Sequence, residues 1–264
     1  MKATVFLGGG RITGALLAGL RLAKYRQPIL VYDRHPPKLR RLKKLYGVGI
    51  EQDLHRALAQ ARLLIIAVRP SSVAALLREV GYVDRPLAAV SLAAGVPLAN
   101  LRAQLGPSVQ WARAMPSPLC RSRRGLTALT FARHFPAAAR REVKHLFAAV
   151  GLTLEIPEGQ MDAFTVTYSP SHGYHALAAL AAAGEKLGLD HPTAMTAASH
   201  ALADAIAACR EGQVSLAALL HEAATPGGTA AAVMEAMDRH GYRRAVNNGL
   251  AAGLKRARKN ARQG

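Results

Sequence analysis

A glycine-rich segment near the start of the chain is the first feature whose residues could do chemistry. It reads Gly8-Gly9-Gly10-Arg11-Ile12-Thr13-Gly14 and joins a short β-type run, residues 4–7, to a stretch with helical apolar spacing. Such a turn brings the backbone close to a pyrophosphate, and the helix N-terminus offers free N–H groups to the phosphates. Gly8 and Gly10 fit the G-x-G-x-x-G spacing, whereas threonine replaces its last glycine. The residues predicted to bind the phosphates of a dinucleotide are Gly8, Gly10, Arg11, Ile12 and Thr13.

The residues after the second predicted strand indicate which dinucleotide is bound. Asp33 and Arg34 follow Gly14 by about 20 residues, the separation at which the ribose of the nucleotide is recognised. An acidic residue there bonds the ribose 2′-hydroxyl of NAD, whereas an arginine accommodates the 2′-phosphate of NADP. Because His35 and Lys38 add positive charge beside Arg34, we expect NADP, with NAD left open. A local cap or salt bridge is the structural alternative for Asp33.

The chain is basic, and the excess charge is confined to its first part. The formal net charge of the 264 residues is +19, and residues 1–160 hold 25 Lys and Arg against 8 Asp and Glu. We interpret most of this charge as a solvated surface, and the next alternative is a field that attracts a phosphate-bearing molecule. A nucleic-acid partner is not favoured, because aromatic residues make up only 5% of the chain and do not alternate with basic ones.

Compartment and membrane association can be argued from apolar runs and cysteines. Outside the alanine-rich stretches, the longest apolar run is residues 63–68, far below the roughly 20 residues that cross a bilayer. The two cysteines, Cys120 and Cys209, show no paired spacing, so a disulfide framework is excluded. The sequence predicts a cytoplasmic protein with no membrane partner. Arginines at 121, 123 and 124 could lower the pKa of Cys120, which we read as a loop thiol.

The order of predicted elements gives the fold class. Apolar strands alternate with helices up to about residue 158, which indicates a parallel sheet covered on both faces. Strands are predicted at 4–7, 29–32, 63–68, 87–92, 109–112, 126–131 and 153–155, with helices at 15–25, 38–46, 53–61 and 72–80. Alanine-rich helices follow at 172–187, 192–210, 215–223, 228–240 and 243–260. Their thin core suggests packing against a second copy. We predict an α/β protein with a dinucleotide-binding domain at 1–158 and an all-α dimerisation domain at 159–264.

Several short stretches, in order, resemble the pyrroline-5-carboxylate reductases. They include Ala67-Val68-Arg69-Pro70, the segment 91–96 (SLAAGV), Arg113-Ala114-Met115-Pro116, the segment 161–165 (MDAFT), the segment 225–229 (TPGGT) and Gly241-Tyr242-Arg243. The resemblance implies a Rossmann domain followed by a helical domain that dimerises, often within a decamer. It also implies NAD(P)H-dependent reduction of a cyclic imine carboxylate, with pyrroline-5-carboxylate as the default substrate and proline as product.

The resemblance assigns further site residues to this sequence. Those expected to line the cofactor cleft, in addition to Asp33 and Arg34, are Val68, Arg69, Pro70, Ala94, Gly95, Met115 and Pro116. Those expected to frame the substrate, across a dimer seam, are Thr225, Gly227, Gly228 and Thr229. Thr229 is expected to be catalytic, with Tyr174 and His172 as polar helpers. His172 and His175 have no third ligand at a telling spacing, so no metal site is predicted.

The sequence departs from the family pattern mainly where substrate would bind. A second hydroxyl residue is expected after Thr229, and the chain has Ala230. The stretch 168–174 (YSPSHGY) keeps only the final tyrosine of the family's pattern. Ser117 and Leu54 stand where the family has asparagines. Two alternatives therefore stay open: a related imine or carbonyl reductase with a different substrate, and a cofactor-binding scaffold or sensor without turnover.

Overall fold

Within residues 2–212 and 214–262, which the computed structural model describes, eight strands form one sheet. Their order across the sheet is β3-β2-β1-β4-β5-β6-β7-β8. The strands are β1 (Ala3–Leu7), β2 (Ile29–Tyr32), β3 (Gly49–Glu51), β4 (Ala61–Ile66), β5 (Leu87–Ser91), β6 (Val109–Pro116), β7 (Gly125–Phe131) and β8 (Gly151–Glu155). The chain runs from β1 outward to β3 and then returns to the other side of β1 with β4. Strand order therefore reverses between β1 and β4, where open α/β sheets bind ligands beyond the strand ends.

The predicted parallel sheet is confirmed, with one antiparallel pair in it. Neighbouring strands are parallel except β6 and β7, whose partners include Ala112 with Phe131 and Pro116 with Thr127. Only residues 117–124 join these two strands, and a parallel crossover needs a dozen residues or more. The short connection therefore forces the chain to reverse direction. β7 and β8 are again parallel to each other, because helix α6 (Ala137–Ala148) joins them.

Helices from the first part of the chain cover both faces of the sheet. Those of the first part are α1 (Arg11–Leu22), α2 (Pro36–Tyr46), α3 (Leu54–Ala59), α4 (Val73–Val80), α5 (Leu98–Arg102), α6 and α7 (Met161–Thr167). The later ones are α8 (Ser171–Lys186), α9 (His191–Glu211), α10 (Leu216–Ala223), α11 (Thr229–Arg239) and α12 (Tyr242–Arg262). β4 shows why its run is continuously apolar: Leu64 and Ile66 enter one core cluster, whereas Leu63 and Ile65 enter the cluster on the opposite face.

Several predicted bounds need correction. Helix α1 begins at Arg11 rather than at residue 15, because the glycine turn leads straight into it. β6 extends to Pro116 rather than ending at 112, since Arg113 and its neighbours pair with β7. The sequence reading omitted β3, α5, α6 and α7, which are short or have mixed polarity.

The chain divides into two compact units. The first comprises residues 2–168 with 252–262, and the second comprises 169–251. The division predicted after residue 158 stays a prediction. In the second unit, the fully buried apolar residues among those described are all alanines, namely Ala181, Ala194, Ala198 and Ala231. Larger apolar side chains such as Leu180, Ile206 and Val233 are exposed. This unit thus buries little apolar surface by itself, and its exposed apolar side chains suit contact with another chain.

Candidate functional site

The predicted cofactor residues of the first unit share one edge of the sheet. They directly follow β1, β2, β4 and β5, or form the end of β6. Because these five strands are parallel neighbours, their carboxyl ends meet at the same edge. The edge includes the point of strand reversal between β1 and β4. The structure therefore brings the predicted residues together from five separate segments.

Gly8 allows the chain to turn where β1 ends. Its φ is +115°, a conformation that L side chains rarely adopt. A Cβ at this position would lie 2.7 Å from the carbonyl oxygen of Ala67, just beyond β4. The Gly8 N–H donates to the Tyr32 carbonyl at 2.8 Å, which fixes the turn against β2. Glycine is thus required here by sterics, independently of any ligand.

The N-terminus of α1 is suited to receive phosphate. Gly10 is the N-cap residue and supplies no side-chain cap, so the first N–H groups of the helix have no partner within it. A Cβ on Gly10 would meet nothing within 4 Å, which means that the space beside the turn is open. The hydroxyl of Thr13 donates to the Gly8 carbonyl at 2.6 Å and is buried. The threonine therefore braces the turn with its side chain and offers only its backbone to a ligand.

Asp33 is bonded to the glycine turn. Its Oδ2 accepts from the Gly9 N–H at 2.8 Å, and its Oδ1 accepts from the backbone N–H of His35 at 2.9 Å. The His35 ring Nδ1 lies 2.9 Å from Oδ1, and Lys38 Nζ lies 3.6 Å from Oδ2. Burial acts to raise the pKa of Asp33, but the hydrogen bonds from Gly9 and His35, with the charge of Lys38, lower it below its usual value. The local role that the sequence left as an alternative is present.

Arg34 is paired with a residue that the sequence reading did not single out. Its guanidinium forms an ion pair with the carboxylate of Glu79 in α4. Glu79, and after it Tyr32, raise the pKa of Arg34 above its usual value. Both members of the pair are solvent-accessible, with 61% of the Arg34 side chain and 40% of the Glu79 side chain exposed. A surface glutamate 45 residues away gives no sequence signal of this contact.

The segment after β4 faces the glycine turn. Val68 is partly buried, and its Cγ1 would lie 3.1 Å from a Cβ on Gly8. Arg69 is exposed and precedes a 3₁₀ turn, Pro70–Ser72, that leads into α4. Val68 and Arg69, which are predicted to line the cofactor cleft, therefore lie beside the point where strand order reverses.

The loop after β5 is closed by the end of the chain's last helix. Gly95 has a φ of +75°, and a Cβ there would clash with the backbone carbonyl of Ala257 in α12. Residues 252–262 of this helix belong to the first unit. Gly95 therefore permits close helix contact, a role separate from the one predicted for it. Ala94 beside it is partly buried.

A buried ion cluster supports the end of β6, where Met115 and Pro116 lie. The side chain of Arg113 is only 2% exposed, and it contacts Glu158 Oε1 at 2.9 Å and Asp162 Oδ1 at 3.2 Å. The same Glu158 oxygen accepts from the N–H of Leu98, the first residue of α5, at 2.9 Å. The cluster ties β6 to the first residue of α5, to the 3₁₀ turn Glu158–Gln160 that precedes α7, and to α7 itself. The sequence does not indicate that Arg113 is buried, because burial of a charged residue depends on how the fold surrounds it.

The predicted substrate residues of the second unit precede and open helix α11. Gly227 has a φ of +76°, and Gly228 is the N-cap residue without a side-chain cap. The Gly228 N–H donates to the Thr225 carbonyl at 2.9 Å, which closes the turn. Thr229 is exposed and is the first residue of the helix, so its N–H and those of Ala230 and Ala231 are free of helical acceptors, whereas the N–H of Ala232 donates to the Gly228 carbonyl. This helix N-terminus can bind a small carboxylate.

The polar helpers predicted in the second unit lie at the start of α8. Tyr174 is 70% exposed and His172 is also exposed. Ser169 and Ser171, in the stretch that departs from the family pattern, have their hydroxyls 2.6 Å apart. Tyr168, by contrast, belongs to the first unit, where its hydroxyl accepts from the Leu126 N–H at 2.9 Å.

Two further departures from the family pattern have structural roles. The hydroxyl of Ser117 accepts from the Leu119 N–H at 3.1 Å and so caps the 3₁₀ turn Pro118–Ser122. Leu54 is buried in the core, and the preceding Asp53 caps α3 by accepting from the Arg56 N–H at 2.8 Å. Both side chains are therefore used by the fold itself.

The proposed effect of the basic cluster on Cys120 is wrong. The thiol is buried, not in an open loop, and its burial raises the pKa to about 11 although Arg121 acts in the opposite direction. Its backbone carbonyl lies against Gly19 of α1, where a Cβ would clash. The described residues include no cluster of three His, Cys, Asp or Glu side chains suited to a metal ion.

Family models match the two parts of the chain separately. Residues 4–95 match the model described as NADP oxidoreductase coenzyme F420-dependent. Residues 158–260 match the model described as pyrroline-5-carboxylate reductase dimerisation, which supports assembly of more than one copy.

Among the helices of residues 2–212 and 214–262, none is both long and apolar enough to traverse a bilayer.

Similar proteins cover nearly the whole chain. A pyrroline-5-carboxylate reductase of Thermus thermophilus is 32% identical over 95% of this chain and 95% of its own. The solved pyrroline-5-carboxylate reductase of Coxiella burnetii is 25% identical with a TM-score of 0.85, covering 98% of both chains. The Plasmodium falciparum pyrroline carboxylate reductase, solved with NADP bound, is 18% identical with a TM-score of 0.86, also over 98% of both.

Proposed function

Because the chain belongs to the pyrroline-5-carboxylate reductase family, we propose that it reduces pyrroline-5-carboxylate to proline with NADPH. The observation that supports this most strongly is the convergence of five segments at one sheet edge around an uncapped helix N-terminus. The 32% sequence identity to the Thermus pyrroline-5-carboxylate reductase, over nearly its full length, supports pyrroline-5-carboxylate as the substrate. We assign the reaction to the class in which a hydride is transferred to a C=N bond.

Cofactor binding relies on the backbone of the first unit. The free N–H groups at the start of α1, from Arg11 to Thr13, bind the pyrophosphate, and the open side of Gly10 admits it. Arg34 binds the 2′-phosphate, which makes NADP the preferred nucleotide. Asp33 acts indirectly, since its carboxylate holds Gly9 in place. The cofactor cleft is completed by Val68, Arg69, Pro70, Ala94, Gly95, Met115 and Pro116.

Reduction requires positioning more than covalent chemistry by the protein. When bound, NADPH would supply the hydride for the imine carbon, and the ring nitrogen would take up a proton. Positioning of the two reactants contributes much of the rate in such a step. Arg113 keeps the β6 end, with Met115 and Pro116, fixed through its two carboxylate partners.

The second unit supplies the groups proposed for the substrate. The N-terminus of α11, with Thr225, Gly227, Gly228 and Thr229, binds the carboxylate through free backbone N–H groups. The Thr229 hydroxyl donates a hydrogen bond to the imine nitrogen. Tyr174 and His172, at the start of α8, are the proposed polar helpers for proton uptake.

Ala230 favours a second candidate function, a related reductase acting on a different imine or carbonyl. The family pattern has a hydroxyl residue at this position, and alanine cannot donate a hydrogen bond. A buried polar partner left unpaired costs about 1–3 kcal/mol, so affinity for the family's substrate would fall unless another group replaces it. A cofactor-binding scaffold without turnover is the remaining alternative.

We further infer a homodimer formed through the second unit, and a cytoplasmic location. The dimer is supported by the family model that matches residues 158–260 and by the exposed apolar side chains of the helices. The location rests on the unpaired cysteines Cys120 and Cys209.

The function is tested by following NADPH consumption with a panel of imines. We expect turnover with pyrroline-5-carboxylate, and weaker turnover with the six-membered ring and with the 2-carboxylate isomer. Turnover with only the other imines would support the changed substrate instead. Binding of NADPH without any turnover would leave the scaffold.

A threonine variant tests the assigned hydroxyl. Thr229→Val keeps the branched shape and removes the donor, so we expect kcat to fall about tenfold or more with pyrroline-5-carboxylate. Thr196→Val, on α9, removes a hydroxyl that donates to the Pro192 carbonyl and is the matched control. Equal rates for the two variants would remove Thr229 from the mechanism.

A further inference from the structure

The ion pair between Arg34 and Glu79 joins the cofactor edge to a helix that the sequence did not connect with it. Arg34 lies immediately beyond β2, and Glu79 lies in the last turn of α4. The guanidinium contacts the glutamate carboxylate directly. The proposed ligand of the 2′-phosphate is therefore already neutralised by a carboxylate of the same chain.

The surrounding charges are paired in the same way. The Asp33 carboxylate accepts from the Gly9 N–H, contacts the His35 ring nitrogen and lies 3.6 Å from Lys38 Nζ, so the carboxylate and Lys38 are already engaged with one another. Arg34 is compensated by Glu79. A simple count of cations at this edge thus overstates the attraction for a phosphate group, because Arg34 and Lys38 each have an acidic neighbour.

A phosphate that binds Arg34 must share the guanidinium with Glu79 or displace it. The 2′-phosphate carries about two negative charges near neutral pH, so it is also repelled by the carboxylate. NADH has a neutral hydroxyl at that position, and the rest of the molecule is identical. The Glu79 carboxylate therefore weakens binding of the 2′-phosphate of NADPH and does not affect binding of the part that NADPH and NADH share.

We propose that Glu79 is a specificity-determining residue that competes with the 2′-phosphate for Arg34 and so lowers the preference for NADPH over NADH. The proposal rests on the proposed function, in which Arg34 binds the 2′-phosphate. It assigns the selectivity between NADPH and NADH to two residues, Arg34 after β2 and Glu79 in α4. Glu79 is exposed enough to rotate away when the phosphate binds.

Direct binding of both nucleotides to the full chain tests this. In Glu79→Gln, the Kd for NADPH should fall about two- to fivefold, the range expected for removing one exposed carboxylate, while the Kd for NADH stays unchanged. The effect should shrink in high salt, because the charges are accessible to solvent. Glu142→Gln is the matched control, since Glu142 forms a surface pair with Arg62 at 2.8 Å. It should change neither constant.

A second variant confirms that the effect passes through the arginine. In an Arg34→Met background, Glu79→Gln should tighten NADPH less than it does in the wild-type background, because competition for the arginine is gone and only the direct repulsion of the phosphate remains. A wild-type chain that binds NADPH, with an unchanged NADPH/NADH ratio or weaker NADPH binding in Glu79→Gln, would overturn this inference alone. A wild-type chain that binds neither nucleotide would overturn the proposed function as well.

Discussion

At the scale of single residues, one carboxylate organises the glycine turn. The positions of Gly8 and Gly10 could be predicted because their spacing follows from the geometry of a strand-to-helix turn. The hydrogen bond that Asp33 accepts from the Gly9 N–H could not be predicted. Gly9 lies 24 residues earlier and meets Asp33 only when β1 and β2 pair. The same reason hides the partner of Arg34. Residue types thus indicated which segments meet at the sheet edge, but not the hydrogen bonds and ion pairs between them.

The hydrogen bonds of Asp33 make stability depend on pH. Its pKa in the folded chain lies below the unfolded value, so its stabilisation is complete above the unfolded value and is lost as pH falls through the folded one. We expect the free energy of unfolding of wild type to fall more steeply below about pH 4 than that of Asp33→Asn. Denaturant unfolding at several pH values measures this. Parallel curves for the two proteins would contradict it.

At the scale of elements, the strand pattern and the parallel sheet were predictable, and the one antiparallel pair, β6 with β7, was not. Buried runs such as that of β4 are read from apolar content, whereas the reversal at β7 follows from the length of a loop. The strand β3 has three residues, and none of them is fully buried, so no periodicity marks it. α6 escaped prediction because only Val143, Leu146 and Phe147 of its residues are buried and its middle carries several charges.

The cluster that joins β6, α5 and α7 should respond asymmetrically to mutation. Replacing both Glu158→Gln and Asp162→Asn leaves a buried guanidinium uncompensated, at a cost of about 3–5 kcal/mol in the free energy of unfolding. Arg113→Met leaves two carboxylates that are partly exposed and can be hydrated, so the expected cost is about 1–3 kcal/mol. Denaturant unfolding of both variants measures the difference.

A surface pair is the control for this cluster. Arg62→Met breaks the exposed contact with Glu142 and should cost less than about 1 kcal/mol. If Arg113→Met costs as little as Arg62→Met, the cluster does not stabilise the β6 end. If the double carboxylate variant is the milder of the two cluster variants, the assignment of Arg113 as the uncompensated charge is wrong.

At the scale of the whole molecule, composition foretold the division of labour between the units. The alanine content of the later helices predicted a thin core, and the structure has only alanines among the fully buried apolar residues there. Which helices contact another copy is not determined by a pattern of small residues. The helices that form an interface are selected by the complementary shape and chemistry of two surfaces. A single sequence does not give the shape of either surface.

The proposed homodimer gives a test for the exposed apolar residues of the second unit. Ile206→Glu, on α9, should shift the chain toward monomer in sedimentation experiments and make its Tm less dependent on protein concentration. Leu22→Glu, at an equally exposed position at the end of α1, is the matched control and should leave the assembly intact. A dimer that tolerates Ile206→Glu and loses association in Leu22→Glu would place the interface on the first unit.

The contact between Gly95 and Ala257 also constrains how the protein is made. Domains usually fold in the order in which the ribosome synthesises them, so an early domain can mature while later ones are still being translated. Here residues 252–262 belong to the first unit but are translated after residues 169–251. The loop at Gly95 therefore stays uncovered in the nascent chain until the second unit, and after it residues 252–262, have been synthesised. Maturation of the nucleotide-binding half is thereby coupled to completion of the half that follows it.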